Sequence, residues 1–382
     1  MTPASAAPGG ARPDATPIKV MIVDDSVFMR GILKSWLGES GEFEIVAVHA
    51  NGRRAADDVA RSQPDLVILD LEMPDMDGLT ALPLILERRA GASVLVASAL
   101  SRRGAEISLR ALSLGAADYI PKPEAAHGAS GVDVFRRELL ARARSLGQRA
   151  RRRSSTRAAT GGAAAGGGVA GATSSVSRQG GKLRPYSMMP VNILAIGSST
   201  GGPQALTRLF ADIGPNIRNI PVVVVQHMPA TFTAILAEHI ARAAGRPCAE
   251  GRDGEPLLPG RIYVAPGGLH MDVVRGASSM QLRLSDGPVV NFCKPAVDPM
   301  FKSVAGLYGG STLAAVLTGM GSDGAEGALR IAETGGSVIA QDEESSVVWG
   351  MPGATVALGA CAGILPIGEI GLRINRMLGA RE

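Results

Sequence analysis

The sequence predicts an α/β protein made of two doubly wound domains, each a parallel sheet covered by helices on both faces. Three observations predict this fold class. The chain has 382 residues, enough for about two domains. Short apolar runs alternate with amphipathic stretches along most of it, as expected for strands that are each followed by a helix. Between two such regions the composition changes abruptly to Gly, Ala, Ser, Thr and Arg.

The change in composition sets the domain boundaries. Residues 149–182 contain no Leu, Ile, Phe or Met, so this stretch lacks the side chains that build a core. We therefore predict a disordered tail (1–17), a first domain (18–145), a flexible Arg/Gly/Ala/Ser-rich linker (146–188) and a second domain (189–382).

The overall composition excludes several classes of protein. Hydrophobic residues make up 46% and charged residues 19% of the chain, which excludes wholesale disorder. Three cysteines, Cys248, Cys293 and Cys361, exclude a disulfide framework and form no CxxC zinc motif. No apolar run reaches about 18 residues, and the N-terminus lacks the basic and apolar regions of a secretory signal. We expect a cytoplasmic protein without membrane insertion.

The net charge of +4 comes from one segment. From Arg136 to Arg184 there are 12 basic residues and 1 acidic residue, whereas the regions on either side are mildly acidic. Such a strip is either a solvated tether or an arm for an anionic surface such as nucleic acid. Aromatic residues are only 3%, and no helix-turn-helix pattern follows the first domain. We therefore expect no nucleic-acid partner.

Five short apolar runs define the strands of the first domain. Helix-like segments separate them; residues 27–37, for example, place Phe28, Ile32, Leu33 and Leu37 near one face. Five strand–helix units predict a parallel sheet with its functional groups at the carboxyl ends of the strands. The runs are Lys19–Val23, Glu44–Val48, Leu66–Leu69, Ser93–Ala97 and Tyr119–Ile120.

Polar side chains follow several of these strands. Asp24 and Asp25 follow the first strand, Asp70 follows the third, Ser98 ends the fourth and Lys122 follows the fifth. Carboxylates that converge at one sheet edge form the hard oxygen site that Mg²⁺ prefers. A lysine and a hydroxyl beside them are suited to the oxygens of a phosphoryl group.

The second domain begins with a buried-strand pattern, Val191–Ile196, followed by the loop Gly197–Pro203 (GSSTGGP). Neither the phosphate motif GxxxxGK[ST] nor GxGxxG is present. Ser199 lies where a strand passes into a helix, a position whose free N–H groups favour an oxyanion. From the loop alone, three interpretations stay open: a nucleophilic serine, a phosphate site or a tight turn.

A serine nucleophile needs a base, and the base needs an orienting group. His227 directly follows the strand-like run 220–226, whereas its rival His270 lies in a turn-rich region and is interpreted as a structural hydrogen-bonding residue. Asp323 follows the strand-like run 312–318; alone, it also fits a helix N-cap. The ends of three strands thus place Ser199, His227 and Asp323 at one sheet edge.

The first domain resembles the receiver domain of bacterial response regulators. The resemblance covers about 18–145 and rests on VDDS (23–26), LDLEMPDMDG (69–78), Ser98 and YIPKP (119–123). It implies a flavodoxin-like fold with Asp70 as phosphoacceptor. It also implies that Asp24, Asp25 and Asp70 bind Mg²⁺, that Ser98 and Lys122 contact the phosphoryl group, and that the Lys122–Pro123 peptide is cis.

The second domain resembles the catalytic domain of the CheB family, the chemotaxis protein-glutamate methylesterases. The resemblance covers about 190–379. Its motifs are GSSTGG (197–202), QHMP (226–229), APGGLHM (265–271), KPAVDPMF (294–301), LTGMGSDGA (317–325) and QDEESSVVWGMP (341–352). It implies a Rossmann-like, mostly parallel sheet. Lys294, Ala296 and Ser322 depart from the residues usual in the family.

The resemblance implies a function for each site residue. Ser199 would be the nucleophile, His227 the general base and Asp323 the orienting carboxylate, with backbone N–H groups near Thr200 and Met320 holding the oxyanion. The substrate would be a glutamyl γ-methyl ester, or a glutamine side chain, on a methyl-accepting chemotaxis receptor. A CheA-type histidine kinase would be the phosphodonor, and ester hydrolysis would need no cofactor. The alternative from the residues alone is a response regulator whose second domain binds a nucleotide or phosphate.

Overall fold

The computed structural model describes residues 16–123, 128–161 and 183–379. The predicted tail up to residue 15, and the part of the predicted linker from 162 to 182, lie outside the described residues. Although one helix has 34 residues, neither it nor any other described helix combines the length and apolar character needed to cross a bilayer.

The N-terminal domain is a five-stranded parallel sheet with the order β2-β1-β3-β4-β5. This order confirms the flavodoxin-like prediction. Ser26, Asn51, Asp77 and Ser101 cap the N-termini of α1 to α4, each accepting a backbone N–H. The strands are β1 (Ile18–Val23), β2 (Phe43–His49), β3 (Leu66–Asp70), β4 (Ser93–Ser98) and β5 (Asp118–Pro121), and the helices are α1 (Val27–Glu39), α2 (Gly52–Ser62), α3 (Gly78–Arg88), α4 (Arg102–Ser113) and α5 (Gly128–Gly161).

Helix α5 continues past residue 146, where the sequence predicted the linker to begin. Leu139, Ala143, Leu146 and Ala150 are buried at helical spacing and extend the core contact along the helix. Arg151 then bonds the carboxylate of Asp65 at 2.9 Å, which ties the helix to the start of the sheet. Arg and Ala are strong helix formers, so a segment without large apolar residues still forms a helix where a domain surface supports it.

The C-terminal domain contains a seven-stranded sheet with the order β14-β13-β12-β6-β7-β9-β8, in which every strand pair is parallel. A separate antiparallel hairpin, β10–β11, precedes α8. The strands are β6 (Ile193–Ser198), β7 (Val222–Gln226), β8 (Cys248–Glu250), β9 (Ile262–Val264), β10 (His270–Arg275), β11 (Met280–Ser285), β12 (Thr312–Val316), β13 (Ser337–Gln341) and β14 (Gly363–Leu365), and the helices are α6 (Gly202–Ile213), α7 (Ala230–Ala244), α8 (Val297–Tyr308), α9 (Ala325–Glu333), α10 (Met351–Ala357) and α11 (Ile367–Gly379).

The topology of the second sheet brings three strand ends together. β6 lies between β12 and β7, so the chain leaves β6 first to one side of the sheet and later returns to the other side. This reversal opens a crevice outside the carboxyl ends of the strands, where doubly wound sheets bind their ligands. The segments that follow β6, β7 and β12 carry Ser199, His227 and Asp323.

The two domains pack against each other through the β5 side of the first sheet. The ring of Tyr119 in β5 stacks on Phe232 in α7, with ring centroids 4.7 Å apart and an interplanar angle of 13°. Gln204 in α6 donates to the carbonyl of Ala116 at 2.8 Å. Val347 of the second domain packs against the core cluster of the first. The contact is therefore apolar at its centre, with polar bonds around it.

We expect Gly147→Ala to destabilise the protein, although alanine is the better helix former. A Cβ at Gly147 in α5 would lie 2.4 Å from Cγ2 of Ile18, a branched side chain buried in β1. Such overpacking lowers the free energy of unfolding by about 1–3 kcal/mol. Gly31→Ala in α1 is the matched control, because nothing lies within 4 Å of the new Cβ. It should stabilise by up to about 1 kcal/mol. Urea denaturation measures both, and a stabilised Gly147→Ala variant would contradict the packing of α5 on β1.

Candidate functional site

The loop after β6 holds Ser199 by its backbone. Ser199 donates its N–H to the carbonyl of Thr318 at 3.1 Å, and its own carbonyl accepts from Gly202 N–H at 2.7 Å. The side chain of Gln226 also donates to that carbonyl at 2.9 Å. Gly201 adopts a left-handed φ of 74°, which turns the loop sharply into α6. The N–H groups of Ser199 and Gly202 are thus bonded inside the protein.

The segment after β12 approaches Ser199 so closely that it requires glycine. A Cβ added at Gly319 would lie 2.9 Å from Cβ of Ser199 and 2.3 Å from the sulfur of Met351. The hydroxyl of Thr318 bonds the carbonyl of Thr200 at 2.8 Å and so fastens the two loops together. Ser199 is consequently 9% exposed, with its position determined by both neighbouring strand ends.

His227 and Asp323 form a hydrogen-bonded pair. Nε2 of His227 lies 2.8 Å from Oδ2 of Asp323. The opposite ring nitrogen, Nδ1, lies 3.3 Å from Sγ of Cys293. Within the described part of the chain, no hydrogen bond joins the Ser199 hydroxyl to His227. The structure thus brings two of the three predicted residues into contact and places the third on the adjacent strand end.

Asp323 does not cap the helix that follows it. Helix α9 begins after Gly324 without a side-chain cap. The carboxylate of Asp323 instead accepts the first N–H groups of α8, from Val297 at 2.6 Å and Asp298 at 3.2 Å. The positive end of the α8 dipole therefore faces a carboxylate that is 2% exposed.

The electrostatics of the pair follow from these contacts. Burial raises the pKa of Asp323, but the hydrogen bond and charge of His227 and the N–H of Val297 outweigh it, so this pKa is lowered. Burial lowers the pKa of His227, but the bonds to Asp323 and Cys293 outweigh it and raise the pKa to about 9. These contacts therefore favour the protonated form of the imidazole.

His270, the rival histidine, has a structural role. It is 4% exposed, Nε2 contacts the carbonyl of Pro288 at 2.9 Å, and Nδ1 accepts the N–H of Ala296 at 3.2 Å. These two contacts support the structural interpretation of His270.

Lys294, which departs from the family pattern, binds Asp286 at 2.5 Å.

Sequence reasoning missed Gln226, Asn291, Cys293 and Asp298. Gln226 directly precedes His227 at a strand end, so its position alone was a usable signal. Asn291 and Cys293 lie in a turn between the β10–β11 hairpin and α8, and no strand-end rule applies to them. Asn291 donates to both Asp323 and Asp298, at 3.0 and 2.9 Å.

The acidic site of the N-terminal domain is assembled from residues at strand ends. One carboxylate oxygen from each of Asp24, Asp25 and Asp70 lies within 4.8 Å of the others. Nζ of Lys122 lies 2.7 Å from Asp70 and 2.9 Å from Asp24. Burial raises the pKa of Asp70, against the opposing effect of Lys122. Three hard oxygen donors beside one cation fit a Mg²⁺ ion.

One detail of this site differs from expectation. The Lys122–Pro123 peptide is trans, because the described residues contain a cis peptide only at Lys294–Pro295. The prediction of a cis bond was wrong: with a trans Lys122–Pro123 peptide, Nζ of Lys122 still lies 2.7 Å from Asp70. The N–H of Lys122, which belongs to the preceding peptide, donates to the carbonyl of Ser98 at 2.7 Å. The hydroxyl of Ser98 lies 2.6 Å from the hydroxyl of Ser108, so it is bonded to α4.

The fold and the two sites together define a two-domain α/β protein. One sheet edge of the first domain carries carboxylates and a lysine, and one sheet edge of the second carries a His–Asp pair. Residues 20–128 match the response regulator receiver domain model, and residues 194–374 match the CheB methylesterase model. The chain belongs to the CheB methylesterase family, with an N-terminal response regulator receiver domain.

Two relatives show how far the similarity extends. The protein-glutamate methylesterase/protein-glutamine glutaminase of group 2 operon from Bradyrhizobium diazoefficiens is 49% identical over 381 residues, covering 96% of both chains. The protein-glutamate methylesterase/protein-glutamine glutaminase from Rhodopseudomonas palustris strain HaA2 is 51% identical over 365 residues, covering 94% of both chains. The solved CheB methylesterase catalytic domain of Thermotoga maritima is 36% identical, with 50% of this chain and all of that chain covered and a TM-score of 0.48.

The pKa of His227 is directly measurable. We expect its imidazole to titrate near pH 9 in the full chain, and Cys293→Ala to lower that value because the thiol contact contributes to the upward shift. Nitrogen-15 NMR of the histidine rings reports the titration. His239 is the internal control, since burial and Arg242 lower its pKa below 6.5. An unchanged His227 titration in Cys293→Ala would contradict the contribution of the thiol.

Proposed function

We propose that the protein hydrolyses glutamyl γ-methyl esters on chemoreceptors, deamidates receptor glutamines at the same site, and is activated by phosphorylation of Asp70. The bond of 2.8 Å between His227 and Asp323, on the sheet edge that carries Ser199, is the observation that carries the proposal. Relatives that are about half identical over nearly the whole chain bear the names of both activities.

Acylation begins when the neutral imidazole of His227 takes the hydroxyl proton of Ser199. Because Asp323 holds Nε2, the nitrogen that receives this proton is Nδ1, and the contact with Cys293 is exchanged for one with Ser199. The serine oxygen bonds to the γ-carbonyl carbon, and the carbonyl oxygen becomes an oxyanion. The C–O bond to the methoxy group then breaks, and His227 returns its proton so that methanol leaves.

Deacylation repeats the same proton transfers with water. His227 takes a proton from water, the hydroxyl oxygen bonds to the acyl carbon, and the bond to Ser199 breaks. The proton returns to the serine oxygen, and a glutamate γ-carboxyl is released. With a glutamine side chain, ammonia replaces methanol as the leaving group and the product is again glutamate.

Two backbone N–H groups are assigned to the oxyanion. Those of Thr200 and Met320 donate to no protein acceptor among the described residues, whereas their neighbour Ser199 does donate. Thr200 lies at the entrance to α6, where the helix dipole adds to the effect of the N–H groups. Donors preorganised in this way stabilise charge that develops only in the transition state.

The receiver site is assigned to phosphoryl transfer. A carboxylate oxygen of Asp70 bonds to the phosphorus of a phosphohistidine on a CheA-type kinase, and the imidazole leaves. Lys122, 2.7 Å from Asp70, is placed to contact a phosphoryl oxygen. Asp24, Asp25 and Asp70 would hold Mg²⁺, whose charge offsets the repulsion between the carboxylates and the phosphoryl oxygens. Ser98 contacts the phosphoryl group after its hydrogen bond to the hydroxyl of Ser108 breaks.

Activation is assigned to release of the docked receiver. Tyr119 stacks on Phe232 in α7, the helix that starts three residues after His227. Val347, packed on the receiver core, also lies against Gly201 in the loop after β6 that carries Ser199. A receiver docked in this position restricts access to Ser199, and a shift of Ser98 and Tyr119 on phosphorylation weakens the docking. The proposed kinase and the signalling part of the receptor both lie in the cytoplasm, so we assign the protein to the cytoplasm as well.

Replacement of each triad residue should reduce methanol release from methylated receptor membranes to a different extent. Ser199→Ala and His227→Ala should each lower kcat by roughly 10⁴-fold or more, because each removes a group that exchanges the proton. Asp323→Ala should leave more activity, because the orienting acid only positions the base. Near wild-type turnover by Ser199→Ala would reject the nucleophile assignment.

Removal of the receiver should activate the enzyme. A chain without residues 1–185 should release methanol faster than the unphosphorylated full chain; about 1.4 kcal/mol of lost docking energy corresponds to a tenfold larger open population. Asp70→Asn should abolish activation by a phosphodonor and keep basal turnover. A truncated chain slower than the unphosphorylated full chain would mean that the receiver helps to assemble the site.

A further inference from the structure

The turn that leads into α8 is held in an unusual backbone conformation. Val290 and Cys293 exchange both backbone hydrogen bonds, at 3.1 and 2.9 Å, around the two residues Asn291 and Phe292. Both central residues are left-handed, with φ of 50° and 63°. This is a tight turn that normally carries Asn and Gly. Phe292 is therefore strained, and its side chain is 88% exposed, so burial of the ring does not compensate the strain.

The turn delivers the amide of Asn291 between two buried carboxylates. Nδ2 donates to Oδ1 of Asp323 at 3.0 Å and to Oδ2 of Asp298 at 2.9 Å. Asp298 and Asp323 are each 2% exposed. Two carboxylates this deeply buried repel each other unless donors lie between them. One amide nitrogen supplies two N–H groups without adding charge.

Asn291 donates to the oxygen of Asp323 that does not face His227. Asp323 Oδ1 is held by Asn291 and by the N–H of Asp298, while Oδ2 receives His227 and the N–H of Val297. A carboxylate fixed at both oxygens cannot rotate, so the imidazole keeps its orientation.

We propose that Asn291 is a positioning residue for hydrolysis: its amide fixes the Asp323 carboxylate so that the other oxygen stays directed at Nε2 of His227. This inference rests on the proposed function, since it assigns Asn291 a role through the Asp323–His227 pair. The strained turn is the structural device that brings the amide to this place.

Besides the carboxylates of Asp298 and Asp323 themselves, four charged or titratable groups lie around the amide. His227 approaches from the end of β7 and Cys293 from the turn itself. Asp298 and Lys302 come from α8, and Glu326 from α9 pairs with Lys302 at 2.8 Å. Asp298 also accepts the N–H of Gly327 at 2.6 Å. Burial raises the pKa of Asp298, and the charge of Asp323 adds to that effect. A negative charge in place of the amide would add to this repulsion.

Asn291→Asp is the deciding substitution, because it preserves size and replaces two donors with a carboxylate. Methanol release from methylated receptor membranes, measured over a range of receptor concentrations, should show kcat lowered about 10- to 100-fold with KM unchanged. The ratio of variant to wild-type kcat should rise as the pH is lowered from 8 to 6, because a proton shared within the carboxylate cluster restores one donor. A loss of packing alone would not produce this pH dependence.

Asn291→Gly removes the amide and keeps the left-handed turn, so it decides the question if Asn291→Asp does not fold. It should lower kcat by a similar factor with a pH-independent ratio. Asn375→Asp is the matched control: Asn375 likewise donates an amide N–H, to the carbonyl of Asp212 at 3.0 Å, but on α11. It should leave the shape of the pH profile unchanged.

The outcomes separate this inference from the proposed function. Wild-type kcat in Asn291→Gly, or an Asn291→Asp ratio that falls or stays level as the pH is lowered, would overturn the positioning role. If Ser199→Ala lacks activity in the same assay, the proposed triad survives that result. If Ser199→Ala retains activity, the triad itself fails, whatever Asn291 does.

Discussion

The buried carboxylate of Asp323 is the group on which the active-site edge depends. A carboxylate that is 2% exposed is unstable in the folded protein unless its oxygens are bonded. Its four donors come from three separate places: His227 after β7, the amide of Asn291, and the first two N–H groups of α8. One side chain therefore sets the position of α8 relative to β12 and the orientation of the imidazole. The same contacts that stabilise its charge also hold the imidazole that the proposed acyl transfer requires.

Most of the candidate site was predictable because a parallel sheet converts sequence pattern into position. A polar residue directly after a buried apolar run lies at the carboxyl end of a strand, and neighbouring ends share one edge. This rule placed Asp24, Asp70, Ser199, His227 and Asp323 correctly at their sheet edges. The rule determines the edge but not the rotamer. It therefore could not show that Nδ1 of His227 faces a thiol.

The residues that sequence reasoning missed obey tertiary constraints instead. Cys293 and Asn291 belong to a turn whose place depends on how the β10–β11 hairpin packs beside α8, and no local pattern encodes that packing. Helix α5 continues past residue 146 for a similar reason, because Ala150 is buried and Arg151 bonds Asp65, just before β3. Each of these depends on a partner that is distant in sequence.

The order of strands in the second sheet also has a consequence for biosynthesis. β6 pairs with β12 on one side and with β7 on the other, so the strand that precedes Asp323 comes late in the chain. The receiver sheet, by contrast, is complete within the first third of the polypeptide and can fold while translation continues. Contacts between distant segments form slowly, because their loops must close first. The receiver domain of a nascent chain can therefore fold before the last strands of the methylesterase domain have been synthesised.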